Sequence, residues 1–383
     1  MTVNLRRAAG SLLVVGLSGT ELTGLERAWL KLVRPSGVIL FRRNITDAKQ
    51  TRALLDEATG LCTSQSARFV DVEGGTVNRL RNALAPIPSA QAVAIAMHRT
   101  GNPRFAREHG ELIARAVKAF GFNTTLAPVL DLALPESAEV MGTRAPATTP
   151  ENVAEYGRAF LAGLASQGIT GCGKHFPGLA GAASDTHFET PEIHRSWEQL
   201  WGEDLEPYRA LRDEMPIVMM NHAAYPETQS KKMPASASPF WITTLLRKRI
   251  GYRGIILSDD LEMGGILKFM PVEEAAVAAI RAGSDLLEIC HSPELILRSY
   301  DALVVEAERS AAFRNILLAL ARETARKRAK LYSAKVGRAL NAKQLDALRD
   351  RVTRFSDKVT ASADVTRTAV EAEARTTAPA EIS

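Results

Sequence analysis

Eight short runs of apolar, largely β-branched residues recur along the chain, each followed by a longer stretch of mixed polarity. They are SLLVVGL (11–17), GVILF (37–41), ARFVDVE (67–73), NTTLAPVL (123–130), ITGCGKH (169–175), PIVMMNH (216–222), GIILSDD (254–260) and SDLLEIC (284–290). Their hydrophobicity is continuous rather than alternating, as in strands covered on both faces. The segments between them, ENVAEYGRAFLAGLASQG and VEEAAVAAIRAG for instance, are amphipathic, and each ends at a glycine suited to capping a helix. Eight βα units in succession predict an α/β protein of the (β/α)8 barrel type. A doubly wound parallel sheet is the alternative.

The polar residues fall where such a barrel would use them. Asp71 with Glu73, Asp131, Lys174 with His175, Asn221 with His222, and Asp259 with Asp260 all sit at C-terminal strand ends. In a barrel those ends converge on one mouth, where active sites lie. One such residue reads most simply as a loop cap or a satisfied buried group; five strand ends together point to a site. From about Pro293 the pattern becomes helical. It then fades after about residue 360 into a tail rich in Ala, Thr and Glu. The expected organisation is a barrel over 1–310, a helical extension over 311–360 and a disordered tail over 361–383.

Composition narrows the picture. With 46% hydrophobic and 24% charged residues the chain reads as an ordinary soluble globular protein. Much of the net charge of +5 sits in ARETARKRAKLYSAKVGR, which carries no interleaved stacking aromatics. That stretch reads as a solvated helix face, and no nucleic-acid partner is expected. Cys62, Cys172 and Cys290 are odd in number and far apart, which fits reduced thiols in a cytoplasmic protein. The N-terminal apolar run is short and passes into Ser18, Thr20 and Glu21 without a clean cleavage site. It reads as a buried first strand rather than a signal peptide. No apolar run reaches the roughly 18 residues of a membrane span, so no membrane association is expected. No metal-ligand spacing or phosphate-cradling loop stands out, and neither metal nor cofactor is expected. A monomer is the expected state.

One stretch concentrates chemistry. GKHFPGLAGAASDTHFETPEI places Lys174, His175, Asp185 and His187 close together, in a chain with only seven histidines. A histidine two residues after an aspartate suits proton transfer near neutrality; the plainer reading is a surface histidine beside a capping Asp.

With FVDVEGGTVNRL, GFNTTLAPVLDL, KHFPG followed by DTH, PAS and GYRGIILSDDLEMGGI, this stretch resembles the barrel domain of glycoside hydrolase family 3. More narrowly, the motifs resemble its bacterial single-barrel β-N-acetylhexosaminidases, in order from about Ser11 to Cys290. The resemblance implies retaining hydrolysis of terminal β-linked N-acetylglucosamine, from cell-wall (muropeptide) or chitin-like oligosaccharides. It implies Asp259 as nucleophile, His187 as acid/base with Asp185 beside it, and sugar contacts from Asp71, Arg79, Arg144, Lys174 and His175. That division of labour is chemically sound: retention needs one anionic nucleophile and one proton donor.

The sequence departs from the family at Leu179 and Ala180, where His-Gly is usual, and at Thr76 and Thr143. These changes are expected to strip polar groups from the rim. Two other functions stay open: a phosphorylase using the same covalent intermediate, since a histidine acid/base leaves no carboxylate to repel phosphate, and a sugar-binding homologue with a weakened site.

Overall fold

The computed structural model describes residues 2–182, 190–228, 232–333 and 337–363. Eight parallel strands form the centre: β1 (Leu13–Gly16), β2 (Gly37–Leu40), β3 (Ala67–Val70), β4 (Thr124–Thr125), β5 (Cys172–Phe176), β6 (Ile217–Met220), β7 (Ile255–Asp260) and β8 (Leu286–Ile289). β8 pairs with β1, and single bridges Thr124↔Thr170 and Val129↔Lys174 bring β4 against β5, so the sheet closes on itself. The expected (β/α)8 barrel is what the chain builds.

Alternation of side chains explains why the strands read as continuous apolar runs. Val14, Ile39, Phe69, Leu126, Cys172, Ile217, Met219, Ile255, Leu257 and Leu286 fill the interior. Their neighbours Leu13, Val15, Val38, Leu40, Val70, Leu287 and Ile289 face outward against the helices. The helix Val272–Ala282 ends at Gly283 with φ of 107°, as its sequence predicts.

Two strands are shorter than their apolar runs. In 123–130, Pro128 has no N–H to give the ladder, and only Thr124–Thr125 keeps strand geometry. Beyond it, the Leu130 N–H still donates to the Lys174 carbonyl at 2.7 Å, holding the segment against β5. In 67–73 the chain leaves the barrel after Val70, and Val72–Gly74 pairs antiparallel with Val77–Asn78.

The C-terminal part is built into the barrel. Helix Ala311–Leu331 crosses the N-terminal ends of the strands. Lys327 Nζ donates to the Gly254 carbonyl at 2.9 Å and meets Asp285 at 3.1 Å. Arg328, 3% exposed, donates to Thr63 Oγ1 at 2.9 Å and to the carbonyls of Ser36 and Gln65. Tyr332 completes the interior cluster from below, its hydroxyl 3.0 Å from Thr124 Oγ1. The basic run is therefore not simply a solvated face: two of its cations cap strand starts. Helix Ala342–Ala363 buries Leu348, Val352, Phe355 and Val359 at helical spacing. Its Phe355 ring stacks on His109, with centroids 6.1 Å apart. Among the described residues no helix is long and apolar enough to cross a membrane.

Candidate active site

The mouth is assembled from strand ends. Asp71 follows β3, and the short hairpin after it turns the chain back so that the Arg79 N–H donates to the Asp71 carbonyl at 3.0 Å. The turn needs Gly74, whose φ is 95°. A Cβ there would lie 2.1 Å from the Pro88 carbonyl oxygen and 2.9 Å from His109 Nε2. The hairpin thereby presents Glu73, 3% exposed, to two cations, Arg144 from the short turn Gly142–Arg144 and Lys174 from β5.

Arg144 grips Glu73 with both arms of its fork, Nε to Oε2 at 2.8 Å and Nη2 to Oε1 at 2.9 Å. Lys174, at the middle of β5, bridges Glu73 Oε1 at 2.7 Å and Asp71 Oδ1 at 2.9 Å. Arg79 stands 3.8 Å from the other oxygen of Asp71. Burial alone would push these carboxyls up. The Arg144 and Lys174 cations outweigh it at Glu73, and Lys174 with Arg79 outweighs it at Asp71, so both acids stay below the usual carboxylate range. Burial would likewise discharge Lys174, but Asp71 and Glu73 hold its ammonium charged well above the ordinary lysine value.

His175 is fixed on both sides. Its Nδ1 lies 2.7 Å from Asp131 Oδ2 and its Nε2 lies 3.3 Å from Arg144 Nη2. A guanidinium only donates, so Nε2 accepts and the proton sits on Nδ1, aimed at Asp131. Asp131 also accepts the backbone N–H groups of His175 and Leu179, which clamps the start of the following loop. Asn221 Nδ2 donates to the His175 carbonyl at 3.1 Å, and His222 bridges Ser236 Oγ and the Asp260 carbonyl.

Asp259 differs from its neighbours. It is the penultimate residue of the strand β7 and is partly exposed, whereas Asp71, Glu73, Asp131, Lys174 and His175 are buried. Its Oδ1 accepts the Asp260 N–H at 2.9 Å. Two residues beyond the inward-facing Ile255 and Leu257, Asp259 also faces the barrel axis, above the buried Cys172 of β5.

Asp260 turns away from that axis. Its Oδ1 accepts the N–H groups of Glu262 and Cys290, and burial with the nearby Glu262 pushes it up to about 8. Asp260, Glu262 and His291 bring donor atoms within 4.8 Å of one another. The carboxylates are committed to backbone amides, Glu262 to that of Ser292, and a carboxyl that keeps its proton to about pH 8 is a poor ligand.

Of the residues singled out in sequence, Asp71, Arg79, Arg144, Lys174, His175 and Asp259 converge on the mouth. Asp185 and His187 lie outside the described residues. The chain on either side of them is placed: Ala182 is buried, and Thr190 Oγ1 donates to the Gly265 carbonyl at 2.5 Å, in the turn after β7. Leu179 and Ala180 are not on the rim. Both are buried in an apolar cluster with Ile193 and Tyr208, so the change there alters packing under the loop. Glu73 and Asp131 had been noticed only as strand-end acids. That Glu73 pairs with two cations and that Asp131 orients His175 shows once the fold brings them together.

Residues 5–314 match the family model of the glycosyl hydrolase family 3 N-terminal domain. The chain is 33% identical over 302 residues to a β-hexosaminidase of Idiomarina loihiensis, covering 79% of this chain and 90% of the relative. It is 38% identical over 287 residues to one of Alkalilimnicola ehrlichii, covering 74% and 82%. Among solved structures, a family 3 β-N-acetylglucosaminidase of Paenibacillus sp. superimposes with a TM-score of 0.84 at 30% identity, covering 93% of this chain and 68% of that one. NagZ of Neisseria gonorrhoeae gives 0.74 at 28% identity, covering 92% and 98%. A barrel whose charged mouth lies at the C-terminal strand ends, matched over most of its length by these relatives, belongs to glycosyl hydrolase family 3 and is a glycoside hydrolase.

Proposed function

We propose that the enzyme is a retaining β-N-acetylglucosaminidase that removes terminal β-linked N-acetylglucosamine from cell-wall fragments or chitin-like oligosaccharides. The observation that carries this reading is the contrast at the mouth. Asp259 is a partly exposed acid near a rigid strand end, in a mouth where Asp71 and Glu73 are already matched by buried cations. A nucleophile needs just that: one anion free to meet an electrophilic carbon, in a space where other charges are spoken for. The names of the relatives support it, as does a structure of the gonococcal neighbour in complex with N-trifluoroacetyl-D-glucosamine, at a TM-score of 0.70 and 30% identity.

In this reading Asp259 attacks the anomeric carbon while His187 gives a proton to the leaving oxygen, then takes one from the incoming water. Asp185 steadies the imidazolium that results. Asp71, Arg79, Arg144, Lys174 and His175 hold the sugar hydroxyls. Their interlocked ion pairs make them stiff, so the sugar meets a preformed frame and little ordering is left to bind it.

Turnover of an aryl β-N-acetylglucosaminide, with the first-formed product followed by proton NMR, is the test. The β-anomer should appear first, and Asp259→Ala should abolish release. An initial α-anomer, or an active Asp259→Ala enzyme, sinks the proposal. The same reaction in phosphate buffer separates hydrolysis from phosphorolysis: sugar 1-phosphate as the main product would transfer the second step to phosphate.

A further inference from the structure

One carboxyl at the mouth has no part in the reaction just described. Along β8, Leu286 faces the barrel interior while Leu287 and Ile289 face the helices, so Glu288 points inward. It is 2% exposed. It lies in register beside Asp260 of β7, and its N–H donates to the Ser258 hydroxyl at 3.1 Å. Its Oε1 is sealed from solvent without a hydrogen-bond partner among the described residues. A lone carboxyl in a strand otherwise made of leucine and isoleucine is a net cost to folding, and a leucine would fill the place without it.

We propose that Glu288 is a positioning residue for Asp259: it shares the floor of the mouth with that carboxylate and acts on the reaction through it. The inference rests on Asp259 being the nucleophile. The titratable groups that act on Glu288 are Asp259 and Asp260 from β7, Asp71 beyond β3 and Lys174 from β5; Asp259, two residues beyond the inward Leu257, shares its face of the sheet, whereas Asp260 lies beside it in register with its carboxyl held by backbone amides. Burial first, then the acidic neighbours Asp259, Asp71 and Asp260, push the Glu288 carboxyl well above the usual range. Asp259 is partly exposed and Glu288 sealed, and Glu288 so placed stays a neutral acid at the floor of the mouth. A neutral polar group beside the nucleophile supports negative charge in a place that water does not reach, where a leucine would not and a second anion would repel it.

The experiment compares the wild type with Glu288→Leu and Glu288→Gln in the pH profile of kcat/KM, whose acid limb reports the free enzyme's essential base. Glu288→Leu removes that polar group, and the acid limb should move up by about half a pH unit or more. Glu288→Gln keeps a neutral donor of the same shape, and the limb should return to the wild-type position. Because Glu288 contributes nothing to packing that leucine cannot, the melting temperature of Glu288→Leu should hold or rise. Covalent trapping with an activated fluorosugar, followed by peptide mass spectrometry, is run on all three proteins. A label on Asp259 with superimposable acid limbs overturns the role of Glu288 alone. A lowered melting temperature in both variants with unchanged limbs makes Glu288 a packing residue and also overturns it. A label on another residue removes the nucleophile assignment, and the inference with it.

Discussion

Arg144→Met tests whether the mouth is held by compensated burial. Glu73 Oε2 has Arg144 Nε as its partner, while Oε1 has both Arg144 and Lys174. The variant therefore strands half of a carboxylate whose side chain is 2% exposed. Removing one partner of a buried pair costs about 3–5 kcal/mol. Lys174 remains, so the low end applies, and about 3 kcal/mol corresponds to a melting temperature lower by roughly 4 °C in a chain of 383 residues. The pH dependence gives a sharper signature. In the wild type the folded Glu73 is held low, so its contribution is fully present above the unfolded carboxylate value of about 4.3 and is lost only in stronger acid. In Arg144→Met, burial is no longer outweighed and the folded value rises above the unfolded one. That variant is then penalised at neutral pH and relieved as the pH falls. Thermal melts at pH 7.5 and pH 5 should show the deficit shrinking in acid. Adding Glu73→Gln should recover part of it at pH 7.5. A deficit independent of pH, and unchanged in the double variant, would mean that Arg144 acts through shape alone.

Other expectations follow from separate parts of the molecule. Asp259→Ala should leave the melting temperature within about 1 °C of wild type, because the side chain is no part of the core; a large fall would make it structural. His187→Ala should hurt natural disaccharides more than activated aryl glycosides, and Asp185→Asn should be non-additive with it; equal, additive losses would remove the proton donor from that loop. Phe355→Ala removes a ring 2% exposed and should cost about 3–5 kcal/mol, read by denaturant unfolding; less than about 1 kcal/mol would mean that helix Ala342–Ala363 docks only loosely. Burial depresses His109 to about 3, so the folded state stays neutral while the unfolded chain takes up a proton below about pH 6.5. Wild-type stability should fall by up to about 1.4 kcal/mol per pH unit below that point, and His109→Gln should flatten the slope; identical slopes would refute it.

The barrel was legible because strands covered on both faces leave continuous apolar runs, and the polar residues ending those runs marked the mouth before any contact was known. Pairings were another matter. Glu73 needs Arg144, 71 residues away, and nothing local in EGG says so. Tyr332 sits among Lys and Arg, and its place in the barrel interior depends on the long-range docking of the helix before it. Glu288 did leave a local mark, an acid at an inward position of SDLLEIC, which counting by twos along the strand exposes. Leu179 and Ala180 misled in the opposite sense, since a change in a motif was taken for a change at the surface.

The seat of Tyr332 has a consequence for how the molecule is made. The last strand ends at Ile289, and the residue that stops the lower opening comes about 40 residues later, roughly 2–8 s of synthesis at about 5–20 residues per second. During that interval a nascent chain holds all eight strands but no stopper. Thr124, Ser36, Asp285 and the lower face of the inner cluster wait for partners that the ribosome has yet to deliver. A message cut short between those two points would yield a cylinder open at one end, with every residue assigned here to catalysis already present. Quality control would meet such a product as a client for chaperones, though it would lack none of the residues that do the chemistry.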